Sequence, residues 1–265
     1  MKIGILGCAG RMGRMLINEV LDNPSCDLSG GTEPGGPAVG EDLGRLVGKE
    51  PLGVTVTTDT KSLFENSDVM IDFTAAAATK MHAGIAAEIG TAIVLGTTGL
   101  GDNDRAALVA AAKSAAIVQS PNMSLGVNIL MAITEKLGET LGPEFDIDIV
   151  EMHHRHKADA PSGTALGLGE AAAKGRGVRL SEVERRTRDG LIGERTDGEI
   201  GFATLRGGDV VGDHTVIFAS SGERIELTHK ASSREIFARG AVRAAIWTKG
   251  QSPGLYSMRD VLALN

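Results

Sequence analysis

The densest group of ionisable side chains in this 265-residue chain lies within fourteen consecutive residues, 151–164, with the sequence EMHHRHKADAPSGT. Imidazole exchanges protons near neutral pH, and arginine and lysine attract anions. Such a cluster suits a small anionic substrate that must also receive a proton. The side chains concerned are His153, His154, Arg155, His156 and Lys157.

Two predicted elements position this cluster. Residues 145–151 alternate β-branched and acidic side chains, which predicts a strand. Residues 165–174 have no β-branched member and predict a helix, with Ser162 as its N-cap. The backbone N–H groups of Gly163 and Thr164 would then point out of the helix start, where they favour an anion.

The same residues have two other interpretations, a zinc site and a solvated basic loop. Zinc would require further ligands at matched spacing, but Cys8 and Cys26 lie far away in the sequence and the other histidines are scattered. We therefore predict no metal site. A solvated loop stays open as the alternative to an anion pocket.

Composition narrows the class of protein. Hydrophobic residues make up 42% and charged residues 23%, which is usual for a globular protein. The net charge of −7 argues against nucleic acid and anionic membranes as partners. The two cysteines show no redox spacing, and no apolar run is long enough to cross a membrane. These features predict a cytoplasmic protein.

A glycine-rich turn follows the first predicted strand, residues 3–7, and precedes a helical pattern. Gly7 permits the tight turn, Gly10 lets the backbone approach a pyrophosphate, and Gly13 lets helix and strand pack closely. The flanking elements favour a dinucleotide site over a purely structural turn. The predicted cofactor contacts in this turn are Gly7, Cys8, Ala9, Gly10, Arg11 and Met12.

The choice between NADH and NADPH depends on the end of the second strand. Glu33 ends that strand and would accept hydrogen bonds from ribose hydroxyls while repelling a 2′-phosphate. Pro34 follows it, so no cation stands there. Arg11 is the one nearby cation that could hold the phosphate. We therefore expect NADH to be used at least as well as NADPH.

Apolar strands and helices alternate through the first half of the chain, which predicts a parallel sheet with a crossover at each step. A helix capped by Thr74 is part of this pattern. Ligands bind at the carboxyl ends of such strands. Two further loops there are predicted to contact the cofactor, although plain turns would explain them too. Their residues are Gly96, Thr97, Thr98, Ser120, Pro121, Asn122 and Met123.

The second half has a different pattern. Three strands, 198–206, 210–219 and 224–229, predict an antiparallel meander, and the charged segment 181–195 predicts an exposed loop. A final helix, 233–249, would complete the first domain. One face of the meander has no predicted helix to cover it, which favours self-association.

The predicted fold is therefore α/β. A doubly wound, parallel-sheet, dinucleotide-binding domain is interrupted by an α+β domain whose sheet is mostly antiparallel. The dinucleotide-binding domain comprises residues 1–124 and 235–265, and the substrate-binding and oligomerisation domain comprises residues 125–234.

Together these motifs resemble the 4-hydroxy-tetrahydrodipicolinate reductase (dihydrodipicolinate reductase) family of lysine and diaminopimelate synthesis, over nearly the full length. The motif around the histidines is the most specific. The matching segments are GCAGRMG at 7–13, GTTG at 96–99, EMHHRHKADAPSGTA at 151–165, IGFATLRGGD at 200–209, HKASSR at 229–234 and MRDVL at 258–262.

The resemblance implies NAD(P)H-dependent reduction of a cyclic dicarboxylate to tetrahydrodipicolinate. It implies His153 as proton donor, Lys157 as a second catalytic cation, and His154, Gly163 and Thr164 as substrate-binding residues. It also implies a homotetramer assembled through the sheets of the second domain.

Two departures and two rival functions qualify the resemblance. Family members that bind NADPH often have a basic residue where this chain has Pro34, and many have a proline and polar residues where this chain has 75–78. An NAD-dependent dehydrogenase of another small carboxylic or amino acid would not need the histidine cluster. A cofactor-sensing protein without catalysis would not need a proton donor.

Overall fold

A computed structural model describes residues 1–264. It divides the chain into two compact units, residues 1–124 with 235–263 and residues 125–234 with Leu264. In chain order the strands are β1 (Lys2–Leu6), β2 (Asp27–Thr32), β3 (Val56–Thr57), β4 (Val69–Asp72), β5 (Ala92–Leu95), β6 (Ala116–Gln119), β7 (Asp146–His153), β8 (Glu184–Arg185), β9 (Ile200–Arg206), β10 (Gly212–Ser220), β11 (Glu223–Ala231) and β12 (Gly254–Tyr256). The helices are α1 (Arg11–Asp22), α2 (Leu43–Leu46), α3 (Thr60–Glu65), α4 (Ala76–Ile89), α5 (Asp102–Ala111), α6 (Leu125–Thr140), α7 (Gly163–Gly175), α8 (Leu180–Val183), α9 (Glu235–Trp247) and α10 (Met258–Val261).

The first unit is built on a parallel sheet of seven strands in the order β12-β6-β5-β4-β1-β2-β3. Its central strands are buried on both faces, as their apolar sequences predict. Leu6, Met70 and Ile93 share one hydrophobic cluster with α4 and α5. The first unit thus confirms the predicted parallel α/β fold.

Two local predictions for this unit were incomplete or wrong. The edge strand β12 was not predicted, because its three residues in a Pro- and Gly-containing segment carry too little periodicity. Thr74 does not cap α4, since Ala75 occupies that position. The Thr74 hydroxyl instead donates to the Asp72 carboxylate, 2.6 Å away.

The second unit has a mixed, mostly antiparallel five-stranded sheet in the order β11-β10-β7-β9-β8. The predicted meander is wrong, because β9 pairs in parallel with β7 and not with β10. The central position suits β7, whose inward residues Ile147 and Ile149 are fully buried. The chain from β9 to β10 must therefore cross over the end of β7.

That crossover is bonded to the residues that follow β7. Gly207 N–H donates to the His153 carbonyl at 3.0 Å, and His154 N–H donates to the Val210 carbonyl at 2.7 Å. Gly207 and Gly208 thus form no hairpin turn. They run across the end of the strand that carries the histidine cluster.

Helices α6 and α7 pack on one face of this sheet, so the face that was expected to lack a covering helix is the opposite one. Leu130 and Leu168 meet Ile149 and Phe218 in its core. The opposite face carries Val150, Met152 and Ile217, which are only partly buried.

The predicted exposed loop at 181–195 is only partly a loop. It begins with α8 and with β8, which extends the sheet beside β9. Farther along, the Arg195 guanidinium contacts Asp146 at 2.9 Å and Asp148 at 2.6 Å. Two of the charges that suggested exposure, Arg188 and Arg195, therefore pair with Asp148 at the start of β7, while most of the segment is exposed as predicted. Within residues 1–264, no helix combines the length and the hydropathy needed to span a bilayer.

Candidate active site

The end of β7 places a carboxylate and an imidazole side by side in the interior of the second unit. Glu151 and His153 continue the inward face begun by Ile147 and Ile149, so they are 1% and 8% exposed. The Glu151 carboxylate lies 2.5 Å from Nδ1 of His153. Because Nδ1 faces this carboxylate, Nε2 is the ring nitrogen left to act on a ligand.

Arg206, the last residue of β9, holds the same carboxylate. Its two terminal nitrogens donate to the two oxygens of Glu151, each at 2.9 Å, and the Ser162 backbone N–H adds a bond of 3.1 Å. Burial by itself raises the pKa of Glu151, but the hydrogen bonds from Arg206 and His153 outweigh it and hold the pKa below its usual value. Glu151 is therefore ionised in the folded protein, where it pairs with Arg206 and contacts His153.

His214 on β10 borders the pair from the other side. Its ring lies edge-on to His153, with centroids 5.0 Å apart, and its Nε2 lies 3.0 Å from the Ser162 hydroxyl. Burial, together with the neighbouring charge of His153, lowers the pKa of His214 to about 4. His214 is thus neutral at neutral pH. An added Cβ at Gly212, two residues before it, would lie 2.9 Å from Nε2 of His153, so glycine keeps that nitrogen uncrowded.

Cationic side chains that are more exposed lie in and around the loop between β7 and α7. Lys157 forms an ion pair of 2.8 Å with Asp159, and Arg234 lies 3.4 Å from Nε2 of His154. Desolvation and the charge of Arg234 lower the pKa of His154. Arg155 and His156 are exposed. The loop therefore combines a neutral imidazole with several fixed positive charges.

Helix α7 starts beside this loop, and its Ser162 N-cap is confirmed. The Ser162 hydroxyl accepts from the Ala165 N–H at 3.1 Å. A Cβ added at Gly163 would meet no heavy atom within 4 Å. The first residue of the helix therefore leaves room for a ligand against its backbone. Thr164 follows it in the same first turn.

The glycine-rich turn in the first unit has the geometry of a nucleotide cradle. Gly7 has φ +68°, and a Cβ at Gly13 would lie 2.6 Å from backbone atoms of Cys8. No side chain caps α1 at Gly10. The open helix start and the close strand–helix packing fit the diphosphate of NAD(H) or NADP(H). Cys8 is fully buried, and burial followed by the charge of Glu33 raises the pKa of its thiol to about 12, so it is a small packing residue.

Glu33 and two arginines border this turn. The Glu33 carboxylate accepts from the Ala9 N–H at 2.7 Å, which ties the end of β2 to the turn. Arg11 is exposed, and the neighbouring Met12 is partly exposed. Arg11 is not the only cation nearby, because Nε of Arg14 donates to the Ala9 carbonyl at 3.0 Å. Sequence spacing did not reveal that Arg14 folds back onto the turn.

The other two predicted cofactor loops follow β5 and β6 at the same edge of the sheet. Thr97 is buried and donates through its hydroxyl to the Thr74 carbonyl at 3.1 Å, whereas Thr98 beside it is exposed. In the next loop, the Ser120 hydroxyl donates to the Asn122 carbonyl at 2.8 Å. The remaining predicted residues of these loops are Gly96, Pro121 and Met123, of which Pro121 is exposed and Met123 is buried.

Sequence reasoning missed four functional candidates in the second unit. Glu151 carried a detectable signal, because a charged residue occupied the inward register of a strand. Arg206 and His214 reach the end of β7 only through the pairing of β9 and β10 with β7, and Arg234, which follows β11, lies beside His154. Arg206 and Arg234 fall within the matching segments 200–209 and 229–234, but spacing alone gave them no role.

Comparison with known proteins assigns both halves of the chain. The family model described as the N-terminus of dihydrodipicolinate reductase matches residues 1–123, and the model for its C-terminus matches residues 126–262. The 4-hydroxy-tetrahydrodipicolinate reductase of Methylocella silvestris is 54% identical over 100% of this chain and 97% of its own length. That of Brucella abortus is 52% identical, and the alignment covers 100% of each chain.

A solved structure supports the fold. The dipicolinate-bound dihydrodipicolinate reductase of Paenisporosarcina sp. is 24% identical, with a TM-score of 0.77 over 97% of each chain. A myo-inositol dehydrogenase of Corynebacterium glutamicum is 14% identical, with a TM-score of 0.58 over 100% of this chain and 93% of that one. On the two family models and these full-length relatives, the chain belongs to the dihydrodipicolinate reductase family.

Proposed function

We propose that this chain reduces 4-hydroxy-tetrahydrodipicolinate to tetrahydrodipicolinate with NADH or NADPH, as a cytoplasmic enzyme of lysine and diaminopimelate synthesis. The observation that carries the proposal is the buried Glu151–His153 pair, beside the open helix start at Gly163. The relatives that match over the full length are named for this reaction.

The substrate-binding role is assigned to the cationic loop and the start of α7. A ring dicarboxylate carries two negative charges, which Lys157, Arg234 and the α7 start can neutralise. His154 and Thr164 would complete the binding set. Withdrawal of electron density by the bound carboxylates assists hydride addition to the ring.

The proton-transfer role is assigned to His153. Loss of the 4-hydroxyl group as water leaves an electron-poor ring carbon that is conjugated with the imine, and the bound nicotinamide would supply a hydride to that carbon. The enamine that results requires a proton on the neighbouring carbon, which Nε2 of a protonated His153 would deliver. Glu151 fixes the orientation of the ring, and Lys157 stabilises charge on the substrate.

The cofactor-binding role is assigned to the first unit. The turn at 7–13 would hold the diphosphate, Glu33 would face the adenine ribose, and the loops 96–98 and 120–123 would border the remaining part of the cofactor. The partly apolar outer face of the second unit's sheet, with Val150, Met152 and Ile217, supports the proposal of a homotetramer joined through these sheets.

The proposed function is tested by following NADH and NADPH absorbance with substrate generated in place by the preceding synthase. Consumption of cofactor that depends on both the synthase and this chain is expected. An NAD-dependent dehydrogenase of another small carboxylic or amino acid is the alternative. Cofactor turnover with such an acid, and none with the synthase product, would favour that alternative.

Cofactor preference gives a specific prediction. Arg11 is exposed at the turn, and a single exposed ion pair is worth about 0–1 kcal/mol, although a well-placed arginine–phosphate contact exceeds that. We therefore expect NADH to be used at least as well as NADPH. Arg11→Ala should raise KM for NADPH several-fold, on the order of 1 kcal/mol, and leave KM for NADH unchanged.

Arg14→Ala is the matched comparison, because Arg14 holds the turn itself through the Ala9 carbonyl. This substitution should weaken the binding of NADH and NADPH to the same extent. A wild-type enzyme that prefers NADPH a hundredfold would contradict the prediction and would require a further cation at the 2′-phosphate.

The carboxylate-binding role of the α7 start gives a second prediction. Gly163→Val adds a side chain where the protein has open space, so the fold should tolerate it. The same side chain would occupy the approach of a carboxylate to the helix start. We expect KM for substrate to rise about tenfold or more, with a parallel loss of inhibition by pyridine-2,6-dicarboxylate.

Gly163→Ala, with a smaller side chain, should show an intermediate effect in the same steady-state assay. Unchanged KM and unchanged inhibition in the Val variant would move the anion site away from Gly163.

A further inference from the structure

The first unit contains a buried ionisable pair that takes no part in the roles assigned above. Asp72 is the last residue of β4 and is 0% exposed, and His82 on the inward face of α4 is 5% exposed. The Asp72 Oδ2 lies 2.7 Å from Nδ1 of His82. Apolar side chains of the same volume are often at least as stabilising as a buried polar or charged pair, so stability alone is a poor explanation for this one.

The second oxygen of Asp72 orients Thr74. The Thr74 N–H donates to Oδ1 at 2.8 Å and the Thr74 hydroxyl donates to the same oxygen at 2.6 Å. His82 occupies Oδ2, so both oxygens of the carboxylate are used and its plane is fixed. Thr74 is therefore held at the carboxyl end of β4 through its backbone and its side chain together.

Thr74 in turn contacts two of the proposed cofactor loops. Its carbonyl accepts from the Thr97 hydroxyl at 3.1 Å, in the loop after β5. Its methyl group lies beneath Gly7, since a Cβ added there would be 2.9 Å from Cγ2 of Thr74. The backbone adds a third connection, because Gly96 N–H donates to the Asp72 carbonyl at 2.9 Å.

We infer that Asp72 and His82 are a positioning pair, which sets the relative placement of the glycine-rich turn and the Gly96–Thr98 loop for cofactor binding. The inference rests on the proposed NAD(P)H-binding role of these loops. Neither residue is exposed enough to contact the cofactor itself. Their effect passes through Thr74, which contacts the Asp72 carboxylate and both loops.

The test compares NADH binding, by fluorescence titration, with thermal stability in a set of variants. His82→Leu removes the bond to Oδ2 and frees the carboxylate to turn, so Kd for NADH should rise about tenfold. His82→Asn offers an amide N–H close to the position of Nδ1, so it should keep Kd near the wild-type value. Ala86→Gly, one turn farther along α4, should lower stability without changing Kd.

An unchanged Kd for NADH in His82→Leu would overturn the positioning role. So would a rise in Kd in Ala86→Gly that equals the rise in His82→Leu when the two variants lose the same stability. If His82→Leu does not fold, Thr74→Val provides the test, because it keeps a methyl group under Gly7 and loses the hydroxyl. The same rise in Kd is then expected, and its absence overturns the inference. Failure of the wild-type chain to bind NADH and NADPH would contradict the proposed function itself, whereas wild-type binding with unaffected variants contradicts only the positioning pair.

Discussion

His153→Gln should lower kcat by about 10²-fold while leaving Kd for NADH within a factor of two, as expected for loss of a positioned proton donor. Gln can still hydrogen-bond to Glu151, so the site keeps its packing and polarity. It cannot release a proton near neutral pH. The loss should therefore fall on the chemical step, measured by single-turnover absorbance of the cofactor.

His156→Gln is the matched control. His156 lies three residues farther along, in the loop after β7, and is exposed, so the same substitution there should leave kcat unchanged. Near-normal turnover in His153→Gln would remove His153 from the mechanism. Equal losses in both variants would indicate a general effect on the loop.

The sequence allowed the elements around His153 to be predicted because their signals are local. Period-two alternation along β7 and the N-cap at Ser162 each depend on a few consecutive residues. The glycine-rich turn is similarly local, and Gly13 packs against the turn as the motif requires. Signals of this kind do not require knowledge of which distant strands pair.

Pairing between distant strands was not predictable in the same way. Three strands separated by glycines looked like a meander, but β7 takes the central position between β9 and β10. That arrangement alone brings Arg206 to Glu151 and His214 to His153. The residues that surround the proposed proton donor could therefore not be identified before the strand register was known.

The Arg14 contact with the glycine-rich turn was missed for a related reason. A long side chain at an exposed helical position has many rotamers, and spacing does not tell which one is used. In the structure its guanidinium reaches the Ala9 carbonyl, while Glu33 accepts from the Ala9 N–H. The turn is thus held from both sides by residues outside the glycine pattern.

Arg206→Met should produce the largest loss of stability among the variants considered. It leaves Glu151, which is 1% exposed, without the guanidinium that binds both of its oxygens. Removing one partner of a buried ion pair typically costs about 3–5 kcal/mol, a large share of the roughly 5–15 kcal/mol that stabilises a domain. Urea denaturation of wild type and variant would measure the difference in the free energy of unfolding.

The pH dependence of that loss has a definite sign. In the wild type, the lowered pKa of Glu151 contributes stability that is present above its unfolded-state pKa and is lost as the pH falls through the folded-state value. Without Arg206, burial raises the pKa of the carboxyl, so the variant gains stability relative to the wild type as the pH falls and Glu151 takes up a proton. The stability difference should therefore be larger at pH 8 than at pH 5.

Two further variants distinguish the effect of breaking the buried Glu151–Arg206 pair from the general effect of removing an arginine. Arg188→Met removes a more exposed partner of Asp148 on the same sheet, and it should cost at most about 1 kcal/mol. The double variant Glu151→Gln with Arg206→Met removes both charges, so it should recover much of the stability lost in Arg206→Met. It should not recover kcat, because His153 then lacks the carboxylate that orients its ring. Recovery of kcat together with stability would mean that Glu151 only holds the fold and has no part in positioning the proton donor.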